Sequence, residues 1–139
     1  MIANPDVNAL VLRKVGNTLK DSVYNQVLWA IDQLGLNAYF KATKNPLEII
    51  YKHTGQKIYF RGADDPLKIK SIKPDKGYIG ITWFEELDQF SGEEEIRNIL
   101  QSTNRGGSVF WKEVAIVPII SIVYFIINFL RIPIKSILL

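Results

Sequence analysis

The residues best suited to chemistry are two adjacent carboxylates, Glu85 and Glu86, which close the apolar run Tyr78–Phe84 (YIGITWF). In open α/β sheets, ligands bind at the carboxyl ends of the strands. A nucleotide-hydrolysing site needs two carboxylates there. One holds Mg²⁺, directly or through water, and the other polarises the attacking water. Adjacent side chains at a strand end diverge, so the two roles can be divided between them. Apolar strands ending in Glu-Glu are common, and the same pattern also fits an ordinary strand end. The partner of such a pair is a phosphate-cradling G-x-x-x-x-G-K-[ST] loop, and the chain contains none. Gly16 has no companion glycine, and Gly106-Gly107 is followed by Ser108 rather than Lys. Two carboxylates without a phosphate cradle are expected not to turn over ATP by themselves.

Other polar residues carry weaker signals. Lys68, Lys70, Lys73 and Lys76 fall in one stretch that can touch phosphate, although an exposed helix and turn explains them more readily. His53 lies in a turn and reads as a solvated polar residue. Trp29, Trp83 and Trp111 read as core residues. Charge is segregated: Lys41–Lys76 holds nine basic and four acidic residues, Gly77–Leu100 one basic and six acidic. Such blocks are commonly solvated faces. The basic one alone would support a nucleic-acid-binding module, with salt-dependent DNA binding as its signature.

The elements that must position these groups follow from hydropathy and turn signals. Ala9–Leu12 is a four-residue apolar run suited to a strand buried on both faces. Thr18 is expected to open a helix, with Asp21 as a weak capping-box partner. Leu19, Val23, Val27, Ala30, Ile31 and Leu34 form one apolar stripe on it, and Gly35 closes it. Three short strands follow at Ala38–Ala42, Leu47–Lys52 and Lys57–Arg61, the last two as a hairpin around His53–Gln56. Asp64-Asp65-Pro66 starts a helix with proline in its first turn. Pro74–Gly77 is a turn, and Tyr78–Phe84 a strand. Ser91 opens a helix whose acidic first turn suits the helix dipole and whose apolar face is Ile96, Ile99 and Leu100. Arg105-Gly106-Gly107 breaks that helix, and Val109–Trp111 begins another strand. The order is an α/β pattern with an antiparallel insertion.

Composition bounds the alternatives. With 139 residues, the chain makes one domain of ordinary size. The absence of cysteine removes disulfides, thiolate chemistry and zinc–cysteine sites, and makes the reducing cytoplasm the default compartment. A single histidine excludes a His-rich metal site, and a net charge of +3 permits an acidic partner without demanding one. Met1–Leu10 is short and polar, unlike a signal peptide. The last 26 residues differ from the rest. Val114–Leu130 is a 17-residue run without charge, interrupted by Pro118 and rich in β-branched residues. A membrane anchor, a buried strand or helix, and translated sequence never selected as protein all fit it.

Three blocks together carry a family resemblance. LVLRKVGNTLKDSVYNQVLWAI (Leu10–Ile31), IYFRGADDPLKIKSIK (Ile58–Lys73) and GYIGITWFEELDQFSGEEEIRNILQSTNRGG (Gly77–Gly107) occur in an order that resembles the phage terminase large subunit, PBSX type. The resemblance covers Asn8–Trp111. It implies an ATPase domain of the additional-strand P-loop NTPase class, using ATP and Mg²⁺. Glu85 then takes the Walker B metal-associated position and Glu86 the catalytic one. Lys70 and Lys73 become candidates for a basic residue reaching a neighbouring subunit's nucleotide. The implied partners are double-stranded DNA, a small terminase subunit, a portal ring and other copies in a homo-oligomeric ring.

The chain departs from that pattern twice. The Walker A strand, loop and helix should precede Asn8 and have no room there. After Phe110-Trp111-Lys112 the family continues with an aromatic-Ser-x-Asn-Pro-Pro-like strand and later a nuclease domain, whereas here EVAIVPIIS and an apolar tail follow. Codons for Val114–Pro118 can encode Ser-Tyr-Ser-Pro in another frame, so a frameshift accounts for the second departure. The expectation is therefore a partial terminase ATPase domain over 1–112, lacking the Walker A elements, and an apolar tail over 113–139 that is frameshift-derived or membrane-like. Such a partial sheet is expected to be inert, to bind no cofactor tightly, and to expose strand edges. The alternative is a small tail-anchored membrane protein with a basic cytoplasmic domain.

Overall fold

The computed structural model describes residues 1–103, 105–106 and 113–116. A six-stranded mixed sheet runs through it in the order β2-β3-β4-β1-β5-β6. The strands are β1 (Val7–Arg13), β2 (Phe40–Lys44), β3 (Leu47–Tyr51), β4 (Lys57–Gly62), β5 (Tyr78–Glu85) and β6 (Glu113–Ile116). The helices are α1 (Asn25–Gln33), α2 (Pro66–Lys70) and α3 (Glu93–Thr103). Strands β4, β1, β5 and β6 are parallel to one another, while β2, β3 and β4 are antiparallel. The expected α/β pattern with an antiparallel insertion is the fold observed.

Parallel neighbours must be joined by crossovers, which leaves the central strands covered on both faces. Strand β1 shows this directly. Val7, Ala9 and Val11 pack on one side with Leu19, Val23, Val27, Ala30 and Ile31 of the α1 layer. Leu10 and Leu12 pack on the other with Ile69 of α2 and Ile99 of α3. The continuous apolar run in the sequence reflects that double burial.

A local irregularity in β5 decides which face its carboxyl end presents. Asn8 lies opposite Ile79 and Ala9 opposite Ile81, so Gly80 is an extra residue in the ladder. Glycine inside a strand suits such a bulge. The bulge sends Ile79 to the α2–α3 face, while Ile81 and Trp83 join the α1 face.

Several boundaries differ from expectation. The helix expected from Thr18 is broken into a 3₁₀ turn at Gly16–Thr18, a wide turn at Lys20–Tyr24 and α1 proper. Ser22 is the break, at φ −117° and ψ −107°. Its hydroxyl donates to the Thr18 carbonyl at 2.6 Å, and the Tyr24 amide reaches back five residues to Leu19. Serine back-bonding of this kind competes with the regular ladder. Asn37–Tyr39 forms a 3₁₀ turn, so β2 starts at Phe40, two residues later than expected. Trp29 is not a core residue: it is 53% exposed. It stands two residues from both Val27 and Ile31, which places it on the opposite side of α1. Trp83 is buried as expected.

The remaining helices follow their caps. Asp65 accepts from the Lys68 amide at 3.2 Å at the start of α2, with Pro66 in the first turn. The Glu95 side chain reaches back to the Ser91 amide at 2.6 Å, closing the entry to α3. Strand β6 pairs parallel with β5 from Ile81–Glu113 to Phe84–Ile116. It occupies the start of the stretch that the sequence sets apart as a tail. The expected strand at Val109–Trp111, with Trp111, and the apolar run from Val117 onward lie outside the described residues. Among the described residues, no helix is long and apolar enough to cross a membrane.

Candidate carboxylate site at the carboxyl edge of the sheet

Because β1, β4 and β5 are parallel, their carboxyl ends meet at one edge. Glu85 is the last residue of β5 and lies in register with Arg13, the last residue of β1. Glu86 follows with φ +52° and ψ +61°, a left-handed conformation uncommon for a residue with a side chain. That turn separates the two neighbouring carboxylates. Glu85 stays buried at 5% exposure, while Glu86 is half-exposed and meets Arg13.

The contacts of the two acids differ in kind. Glu86 Oε2 accepts from the Arg13 guanidinium at 2.5 Å and from the Gln89 amide at 2.5 Å. Glu85 interacts with the Trp83 indole, but its Oε2 is buried without a hydrogen-bond partner. Burial pushes the Glu85 carboxyl above its ordinary range and the neighbouring Glu86 charge adds to that push, against a smaller opposing pull from Arg13 and the Trp83 hydrogen bond. A buried, half-satisfied carboxylate is the kind of group that a cation or a further donor would complete.

A second clamp lies beside the first. The Lys14 ammonium donates to Glu95 at 2.5 Å and to the Ser91 hydroxyl at 3.1 Å. Burial raises the Glu95 carboxyl, but Lys14 and Ser91 together outweigh it and hold the group below its ordinary range. The loop from Glu86 to Gly92 is thus tied to the end of β1 by two consecutive basic residues. On the β4 side the backbone approaches closely. The Gly16 amide donates to Asp64 at 3.2 Å, and a Cβ on Gly62 would lie 2.5 Å from Gly16 Cα. Backbone bonds from Ala63 to the Arg13 carbonyl and from Asp64 to the Lys14 carbonyl extend the β1–β4 contact past the strands.

The sequence directs attention to Glu85, Glu86, Lys70 and Lys73. The first two converge at the edge. The two lysines are exposed, Lys70 in a cleft of about 750 Å³ between α2 and α3 that Ser91 and Glu95 also line, Lys73 in a smaller one of about 200 Å³ beneath α3. Neither has a described contact with Glu85 or Glu86. The basic residues that do meet the acids are Arg13 and Lys14. Their signal was the Arg-Lys pair that ends the first apolar strand, because parallel neighbours deliver their ends to one edge.

Mg²⁺ is commonly held by one or two carboxylates together with water and substrate phosphates. Glu85, with an unpartnered buried oxygen, and its neighbour Glu86 fit that mode. They do not make a complete cage, and no group of three or more His, Asp or Glu side chains suited to a metal occurs among the described residues.

Comparison with known proteins supplies the family. Residues 2–111 match the family described as phage terminase large subunit. The terminase large subunit of Bacillus phage SPP1 is 43% identical over 99 residues, spanning 71% of this chain and 24% of that protein. The PBSX phage terminase large subunit of Bacillus subtilis strain 168 is 34% identical over 85 residues, spanning 61% of this chain and 18% of that protein. The chain therefore spans about a quarter or less of these relatives' length. With Arg13, Glu85 and Glu86 all inside the matched stretch, which covers most of the chain, the chain belongs to the phage terminase large subunit family.

Proposed function

We propose that this chain is part of the ATP-hydrolysing region of a terminase large subunit, the motor that packages double-stranded DNA into procapsids. The carrying observation is the pair Glu85–Glu86 at the carboxyl end of a central parallel strand, one buried with an unpartnered oxygen and the other held by two donors. In this reading the sheet is a P-loop NTPase sheet of the additional-strand class, and ATP is the substrate. Glu85 would hold the Mg²⁺ that accompanies ATP. Bound Mg²⁺ supplies charge neutralisation at the phosphates. Glu86 orients the attacking water and takes its proton. Both described bonds to the Glu86 carboxylate go to Oε2, so Oε1 is the oxygen that would meet the water. Lys70 and Lys73 are exposed enough to reach a neighbouring subunit in a ring. Double-stranded DNA, the small subunit and the portal are the partners, in the cytoplasm of the infected cell.

By itself the chain would not turn over ATP, because it contains no phosphate-cradling Gly-Lys-Ser/Thr loop. The test is a chimera in which this chain's matched residues replace their counterparts in the SPP1 protein. The chimera is expected to hydrolyse ATP, and Glu86→Gln to reduce kcat roughly 100-fold or more. Full ATPase activity in the Glu86→Gln chimera would sink the assignment.

A further inference from the structure

We infer that Arg13 is the resident counter-ion of the acidic pair, and that a divalent cation reaching Glu85 and Glu86 must exchange with it. The inference rests on reading Glu85 and Glu86 as the cation-facing pair. Its own basis is the geometry around Arg13.

The Arg13–Glu86 contact is partly desolvated, with side chains 14% and 32% exposed. The surface pair Arg97–Glu93, by contrast, is 64% and 87% exposed. Partial burial makes the first contact stronger than an open surface pair. Yet it is not the best contact these groups can make. Arginine and carboxylate pair most strongly through two parallel bonds. Here a single guanidinium nitrogen, Nη2, does the work, and Arg13 Nε is buried without a partner. Across the ladder, Glu85 Oε2 is also buried without a partner. An ion pair flanked by two orphaned polar atoms is poised to rearrange. A cation at Glu85 would satisfy one orphan, and a freed guanidinium could satisfy the other.

Charge sets the direction of the exchange. Lys14 is taken by Glu95 and Ser91, and Arg61, near the end of β4, by Glu48. Arg13 is therefore the cation beside both Glu85 and Glu86, one guanidinium against two carboxyl groups. The second carboxyl group can take a cation, while Arg13 repels it. The two cannot share the carboxylates, so cation binding and the Arg13–Glu86 contact are linked in opposite senses.

The full chain is titrated with Mn²⁺, and free Mn²⁺ is read by electron paramagnetic resonance. Arg13→Met is expected to bind Mn²⁺ roughly tenfold more tightly than wild type, from removal of one adjacent positive charge. Arg13→Lys keeps the charge and is expected to show no such gain. Glu85→Gln should weaken binding in either background. Equal affinity in wild type and Arg13→Met, with Glu85→Gln still weaker, would overturn the exchange and leave the cation-facing pair standing. No saturable binding in any variant would overturn the pair itself, and the exchange with it. A second measurement needs no variant. Nitrogen NMR of the arginine guanidinium groups follows wild type through an Mg²⁺ titration. Arg13 signals are expected to move as the site fills, and signals unchanged at saturation would overturn the proposal.

Discussion

At the amino ends of β1, β4 and β5 the sheet is closed by buried neutral amides, with the more exposed Lys57–Asp75 pair outside them, and at the carboxyl ends by charges. Gln56 and Asn8, both 2% exposed, form the first closure. The Gln56 Nε2 lies 2.9, 2.8 and 2.7 Å from the carbonyls of Met1, Asn4 and Val7, and its Oε1 accepts from Thr54. Asn8 donates to the Lys76 and Tyr78 carbonyls and accepts from the Lys57 amide. Each of these side-chain atoms has a partner, and Gly77, at φ +72°, lets the chain pass so close to Asp6 that a Cβ would clash with its carbonyl. The carboxyl edge holds Arg13, Glu85 and Glu86 instead, with two orphaned atoms and a left-handed glutamate. The same three strands thus carry a satisfied end and an unsatisfied end. The satisfied end holds the fold together. The unsatisfied end keeps unused bonding capacity, which is what a ligand site requires.

If that division is right, the largest stability loss should come from the amino edge. The Gln56 side chain is not interchangeable with an apolar one, because its amide hydrogens reach three carbonyls. Gln56→Leu is expected to destabilise the chain by about 2–3 kcal/mol, lowering the thermal midpoint by roughly 10 °C. Calorimetry or circular dichroism melting measures it. Mn²⁺ affinity at the carboxyl edge should stay unchanged. A variant that melts like wild type would show that the amide hub does not close this edge.

Legibility in the sequence follows the same division between local and long-range information. The run Ala9–Leu12, the hairpin of β3 and β4, and the strand ending in Glu85-Glu86 were readable because hydropathy and turn residues are local signals. The placement of the two carboxylates at a carboxyl edge was readable for the same reason. Their partner was not. Arg13 meets Glu86 across 73 residues of sequence, and only the parallel pairing of β1 with β5 brings them together. The bulge at Gly80 had a visible cue, a glycine inside an apolar strand, but its register consequence did not. Trp29 lay off the stripe formed by Val27, Ala30 and Ile31, so helical periodicity already argued against placing it in the core. The break at Ser22 arises from a side-chain bond to Thr18 that the apolar stripe runs straight through. Lys70 and Lys73 stand out in the sequence by charge alone, and only the packing of α2 against α3 brings Lys70 to a cleft shared with Ser91 and Glu95.

A second prediction concerns how acid affects the carboxyl edge. The folded Glu85 carboxyl titrates above the unfolded one, because burial and then Glu86 disfavour its charge. Ionising it therefore destabilises the folded state more than the unfolded state. Its contribution is fully present below the unfolded carboxylate range and is lost as pH rises through the raised folded value. Glu85→Gln removes that loss. Urea unfolding at about pH 4 and about pH 8 should show the variant gaining stability relative to wild type at the higher pH only. Two parallel pH profiles would mean that Glu85 is solvated in the folded chain and that the edge is less dry than its geometry indicates. Glu95 moves in the opposite sense. Its carboxyl is held low, so its contribution is present above the unfolded range and fades as pH falls through the lowered value.

The smallest expected effect is at Glu86, where two terms oppose each other. The left-handed backbone is a strain that glycine relieves by about 1 kcal/mol. The ion pair with Arg13 is partly desolvated and contributes about 1 kcal/mol, the upper end for pairs near the surface. Glu86→Gly loses the second and recovers the first, so its stability should stay within about 1 kcal/mol of wild type. Glu86→Ala loses the pair and keeps the strain. It should therefore be less stable than Glu86→Gly by about 1 kcal/mol, a difference that isolates the backbone from the side chain. Urea midpoints of the three proteins measure it. Equal midpoints for the alanine and glycine variants would mean that residue 86 does not hold a left-handed conformation in solution. The ordered difference, with weaker Mn²⁺ binding in both variants, would mean that this edge keeps a strained glutamate for its carboxylate rather than for the fold.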